Sequence, residues 1–471
     1  MTTASISEGR LAETAHLLRR AGLGSTRGEL EAYASRPYAD IVEELLHPDR
    51  SPEAPDDLLS RYFPALVTAE SPIAWVARWV YRMATTPRPL QEKMALFWHH
   101  VFATAWFKLE HGPAIEAHVD MLRREGLSNF RTLLLELSKD PAMIFWLDNC
   151  ENHGNAPNEN YGRELLELFS MGIGNYSETD IKNAAYAFTG WTFRQPIPLY
   201  PHGGHDATFL YRPEDHDDSE KQFLGVSGRL QGEDIIDEIV RQEGTARFIA
   251  RHLYNFFVAD EAQVPAWSVQ EPRDPAAVET LARAFRDSDA DMRQVMRVLF
   301  NSDFFKAARF QRVKCPAELV AGVFKLTEEL HDEPTSDLIN IYAQMTPMGQ
   351  KLMDPPSVEG WHTGKEWIDS GTLMERVNFA VEHVGDPSAP GVRAIADRVA
   401  AQGPMEPEAL VDTLLDLAGT LEVGETTRTA LVEAASSPPA SGNGNGANGD
   451  GAERIAELLR LVVATPEYQF A

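Results

Sequence analysis

The chain has 471 residues, 43% of them hydrophobic and 24% charged, with a formal net charge of −28. That is ample apolar material for a packed core, while so acidic a chain repels phosphate backbones and argues against a nucleic-acid partner. Cys150 and Cys315 are the only cysteines, too few for a disulfide framework or a cysteine metal cage. No stretch reaches the 18 or so continuous apolar residues of a membrane-spanning helix. The opening MTTASISEGRLAETAHLLRRAG lacks an apolar signal core, so the expected location is cytoplasmic.

Apolar spacing and end signals predict helices along most of the chain. In the first half these cover 8–21, 38–46, 72–82, 90–107, 116–125, 129–138, 159–171 and 178–189. Ser177-Glu-Thr-Asp180 reads as a capping box and Gly190 as the stop of that last helix. The segment 191–225 breaks the pattern with four prolines and a Gly203-Gly204 pair. Alternation at 207–212 and a short run at 221–224 predict a small β-hairpin or two-stranded ribbon, joined by the acidic loop 213–220. Helices resume at 232–241, 243–258, 274–287, 291–301, 316–330, 349–353, 410–418 and 427–435. Residues 436–453, SSPPASGNGNGANGDGAE, read as a flexible linker, and 454–465 as a short amphipathic helix that packs back. The fold class is therefore mainly α: one large multi-helix domain over 1–435 with a small β-hairpin insertion at about 192–225, then a disordered linker and a C-terminal helix at 454–471.

The densest chemistry lies in the helix beginning at Glu159. Glu159, Asn160, Arg163, Glu164 and Glu167 share one arc of about 140° on a helical wheel whose remainder is apolar. Arg163 can bridge Glu159 and Glu167 at i,i±4, and Glu164 and Glu167 at i,i+3 can converge on one cation. Buried, such a face must be paired or occupied. The expectation is that Arg163 is buried against at least two carboxylates.

In Phe97-Trp98-His99-His100-Val101-Phe102, His99 edges the apolar seam, and His100 diverges from it by roughly 100°. Two readings follow for His99: a half-buried, hydrogen-bonded side chain, or a ligand or proton carrier. The loop Glu214-Asp-His-Asp-Asp218 with Lys221 offers His216 and Asp217 to a divalent cation but lacks the spacing of an EF-hand. Asp354-Pro-Pro-Ser-Val-Glu-Gly-Trp361 and its continuation to Trp367 read as a structural clamp or as a pocket lid. Dinucleotide, nucleophile-elbow, His-Glu-x-x-His and kinase signatures are missing.

The ordered set His16-Leu-Leu-Arg-Arg-Ala-Gly-Leu-Gly24, 94–102, Pro157-Asn-Glu-Asn-Tyr-Gly-Arg-Glu-Leu-Leu-Glu-Leu168, Ala187-Phe-Thr-Gly-Trp191, His216-Asp with Lys221, Ala246-Arg-Phe-Ile-Ala-Arg251, Lys314-Cys-Pro-Ala-Glu318, Pro355-Pro-Ser-Val-Glu-Gly-Trp361 and Thr465-Pro-Glu-Tyr-Gln469 resembles the bacterial family catalogued as domain of unknown function 1800. The resemblance spans nearly the whole chain. It implies a partner resembling a sulfatase or phosphatase in those members that are exported. Members commonly carry a second histidine where this chain has Val101, which weakens any metal site that would need that side chain.

Two function classes are carried forward. One is an enzyme, metal-assisted, with His99, Glu164, Glu167 and His216 as its reacting groups and His16, Glu159, Asn160, Arg163, Asp217, Lys221 and Trp361 around them. A divalent metal is the expected occupant, weakly held. The other is a non-catalytic binding or assembly factor that uses the same polar cluster as a structural lock.

Overall fold

A computed structural model describes residues 7–54, 56–68, 71–109, 111–194, 207–331, 334–438 and 449–471. Among them are 25 α-helices and two two-stranded antiparallel sheets, so the mainly α class holds. One cluster of buried apolar side chains runs from Leu17 to Tyr468.

The helix Pro89–Val101 lies at its centre. Ten of its thirteen residues are buried, including the charged Glu92 and Lys93. It stops at Val101 rather than continuing to 107, because the chain turns away to another partner. The Trp106 N–H donates to the Met353 carbonyl at 2.8 Å, and a short separate helix, Trp106–Leu109, follows. Gly112–Glu125 and Pro72–Thr85 pack on it; its Phe97 ring meets Phe256 and Phe257 of Glu243–Phe257, and its Lys93 reaches Glu318 of Pro316–Thr327, which lies against Pro72–Thr85.

Other ends move for local reasons. Asn160–Glu167 is shorter than expected. Gly172, at φ +75°, closes it with its N–H on the Leu166 carbonyl at 3.0 Å, a left-handed helix stop. Pro316–Thr327 ends at Glu328, also left-handed at φ 56°. The helix expected at 349–353 is irregular, since both Gly349 and Met353 take positive φ. Helices Ser370–Val384 and Pro390–Ala400 were not expected, although Asp369 caps the first and Pro390 opens the second.

The β region differs in pairing. The two expected runs do not pair with each other. Thr208–Tyr211 pairs back onto Trp191–Arg194, and Lys221–Phe223 pairs with Val226–Gly228 through a tight turn at Leu224 and Gly225, both at positive φ. Of the expected linker, 439–448 lie outside the described residues. Helix Glu425–Ser436 precedes them, and helix Gly449–Val463 already includes 449–453. That last helix packs on Ser370–Val384 and Pro390–Ala400.

Candidate functional site

The helix Asn160–Glu167 forms because its two faces are sharply divided. Tyr161, Gly162, Leu165 and Leu166 are buried. Gly162 lies so close to Glu178–Ala187 that a Cβ there would sit 3.1 Å from backbone atoms of Ile181 and Ala185. The polar arc is thereby turned outward. Arg163 is 37% exposed. It donates to Glu178 of the neighbouring helix at 3.0 and 3.1 Å and to Glu159 at 3.4 Å. The expected burial of Arg163 is thus corrected: it has two carboxylate partners, but at the surface, where the dense apolar contact of the opposite face cannot reach it. Asn160 is exposed, and its N–H is capped by the Asn158 side chain.

Glu164 differs from its neighbours. It is half-buried, and its carboxyl is pushed up from 4.5 to about 7, first by burial and then by the charge of Glu167, with Glu359 adding and Arg163 opposing. Glu167 accepts a hydrogen bond from the Tyr176 hydroxyl at 3.0 Å. Glu167 and Glu359 stand on the wall of a cavity of about 630 Å³ enclosed by the turn after this helix, by Glu243–Phe257, by the turn Val264–Ser268 and by Pro275–Asp287.

The cavity wall is braced by contacts of its own. Arg251 is ion-paired with buried Glu261 at 2.8 Å, donates to the Gln270 carbonyl at 2.8 Å and lies 4.7 Å over the Trp267 ring. Gly172 admits the Phe248 ring where a Cβ would be only 2.7 Å away. Five carboxylates (Glu167, Glu243, Glu271, Glu279, Glu359) and two guanidiniums (Arg247, Arg251) line it, a net of three negative charges.

His99 is elsewhere, fully buried beneath Trp361 and Trp79, with ring centroids 5.2 and 5.4 Å away. Its Nε2 accepts the Met353 N–H at 2.9 Å, so the ring proton is on Nδ1. With its one free lone pair used, neutral His99 cannot ligate a cation. Burial drives it well below the ordinary histidine value. Its neighbour His118 pairs through Nδ1 with Asp140, and the two imidazoles are 6.5 Å apart.

His216 is tucked into the β region. Its Nδ1 donates to the Thr189 carbonyl at 2.9 Å, and the Asp217 N–H donates to the Thr189 hydroxyl at 2.9 Å. Lys221 is buried, donates to the Asp217 carbonyl at 2.5 Å and pairs with the Asp217 carboxylate at 3.2 Å. This loop is an internally stapled turn. His16 is also buried, with Nε2 donating to the Phe305 carbonyl at 2.9 Å. Trp361 is 7% exposed and packs on both His99 and His100. Among the described residues, no hydrogen bond, ion pair or ring contact joins His99, His216 or His16 to Glu164 or Glu167. Each histidine instead meets a backbone group from elsewhere in the chain: Met353 for His99, Thr189 for His216 and Phe305 for His16.

Sequence reasoning missed a buried charge cluster. Glu318 accepts from Arg20 Nη1 at 3.1 Å, from Arg312 Nη1 at 2.5 Å, from Lys93 and from the Cys315 N–H at 2.8 Å. Arg20 also donates to the Phe256 and Phe257 carbonyls, and Arg312 to that of Asn255. Two guanidiniums thus cap the C-terminus of Glu243–Phe257, where carbonyls lack partners and the helix dipole is negative. The available signal was Lys93 within an apolar helical run.

Compared with known proteins, the model of the family described as a protein of unknown function (DUF1800) matches residues 16–470. The chain belongs to this family. No curated protein and no solved structure matches it. The match takes in the Glu318 cluster, the cavity wall and the stapled His216 loop of this DUF1800 chain. No helix among the described residues is long and apolar enough to cross a membrane.

Proposed function

We propose that the cavity beside Glu164 is the working site, and that the protein is an enzyme using proton transfer at an organic substrate that is cationic or rich in hydroxyl groups. The observation that carries this reading is Glu164, whose carboxyl is raised to about 7 by burial and by the charges of Glu167 and Glu359, and these two stand on the wall of a roomy cavity. A carboxyl with a raised proton affinity can serve as a general acid near neutral pH. Glu164 is then the proton donor, and Glu167 or Glu359 the carboxylate that takes up a proton or steadies positive charge. The net negative wall favours cations and hydroxyl donors and disfavours phosphates and carboxylates. Fixed Arg251 and Trp267 give the substrate a preformed surface.

The test is a thermal-shift and turnover screen of amine and polyol libraries with the parent chain and Glu164→Gln. A hit whose turnover falls at least about a hundredfold in Glu164→Gln, with binding kept, supports the assignment. A ligand that binds the cavity and is never turned over supports the alternative, a non-catalytic binding protein using the same wall. Substrate turnover that survives Glu164→Gln unchanged removes Glu164 from the role.

A further inference from the structure

A second group of ligating side chains lies away from the cavity. Glu329 follows the left-handed stop of helix Pro316–Thr327, Asp337 lies in the 3-10 turn Ser336–Ile339, and His383 stands in the last turn of Ser370–Val384. One donor atom from each lies within 4.8 Å of the other two. Glu329 Oε2 is 2.8 Å from His383 Nδ1.

We propose that Glu329, Asp337 and His383 bind a divalent transition-metal ion of the zinc or manganese type. A tetrahedral ion with bonds of about 2.0–2.1 Å holds its donors about 3.4 Å apart, between the closest separation and the upper bound found here. One imidazole with two carboxylates is a set such ions accept. The histidine is built in: its side chain is 6% exposed, and its ring is held by Phe379 and Phe324 with centroids at 4.4 and 5.0 Å. Its Nε2 has no hydrogen-bond partner, so Nδ1 at the carboxylates is its one polar contact.

The electrostatics also call for a cation. The Glu329 side chain is 11% exposed. Among the described residues no lysine or arginine is ion-paired with Glu329 or Asp337. Two carboxylates this close, one of them largely shielded, repel each other unless positive charge stands between them. The C-terminal end of Ser370–Val384 adds negative partial charge at His383. A bound ion would take the place of the Glu329–His383 contact. With three protein donors the ion keeps a position for water.

The experiment is calorimetric titration of zinc and manganese into chelator-treated full-length protein, with cobalt absorption as a report of nitrogen and oxygen ligation. The expected result is saturable uptake of one ion per chain, weakened at least about tenfold by Asp337→Asn and by Glu329→Gln and unchanged by Glu164→Gln. His383→Gln should abolish it. If that variant fails to fold, Asp337→Asn, whose side chain is partly exposed, still decides. No saturable binding, or full-strength binding by Asp337→Asn, overturns the site and leaves a histidine–carboxylate ion pair.

Discussion

Glu318 Oε1 accepts a hydrogen bond from Arg20 Nη1 at 3.1 Å across 298 residues of sequence. The same carboxylate also meets Lys93 and Arg312. One buried anion thus holds three buried cations, and the three attractions keep it ionised well below the usual carboxylate range, against a large burial cost.

Removing that anion should be severe. Glu318→Gln would leave Arg20, Lys93 and Arg312 facing one another with no countercharge, at a cost of roughly 3–5 kcal/mol. Urea unfolding monitored by tryptophan fluorescence reads this directly. A loss under about 1 kcal/mol would mean that the helix-end carbonyls alone satisfy the guanidiniums.

Glu164 makes an opposite prediction. Its carboxyl is raised from 4.5 to about 7 in the folded chain. In the unfolded chain it ionises at its ordinary value. Its contribution to stability is therefore whole below about 4.5 and is lost as pH climbs through about 7. Glu164→Gln cannot ionise. Its melting temperature should gain on the parent's across that window and level off above it.

Acid should destabilise the fold through its buried histidines. Burial pulls His16, His100 and His252 down to about 3 and His99 well below 6.5. Each gains a proton near 6.5 when the chain unfolds. The stability they contribute is present above that value and drains as pH falls toward about 3, at roughly 5 kcal/mol per pH unit for all four together. Calorimetry between pH 7 and pH 5 should show the fall, and the four imidazole NMR signals should not titrate in that interval.

Gly360 supports the floor beneath His99 and His100. Its φ is +81°, and a Cβ would lie 2.6 Å from the His100 carbonyl. Gly360→Ala combines left-handed strain with a backbone clash and should cost about 2–4 kcal/mol. Near-ultraviolet circular dichroism of Trp361 and Trp367 is the local readout. A parent-like spectrum and melting temperature would show that the loop shifts freely.

The helices were legible where apolar spacing met a strong end signal. Gly232–Arg241, for instance, has the predicted bounds. They were misread where a distant contact decides the end, as at Val101, whose successors leave the helix to pair with Met353. The arc from Glu159 to Glu167 was legible as a face, and Glu164 on it has a raised proton affinity. Its raised proton affinity depends in part on the charge of Glu359, far away in sequence, and no local pattern encodes that. His99 and His216 looked like ligands because sequence displays imidazoles but not the carbonyls and N–H groups that occupy them. Glu318 was hidden for the same reason: its partners come from three other places in the chain.

That dispersal sets a timetable for synthesis. At roughly 5–20 residues per second, about 15 s to a minute separates the emergence of Arg20 from that of Glu318. Throughout that interval the nascent chain carries two cations, Arg20 and Lys93, destined for an interior whose neutralising carboxylate does not yet exist. Native closure of the central helices must wait for it. The early helices are accordingly the stretch of the growing polypeptide that most needs shielding while the ribosome is still at work.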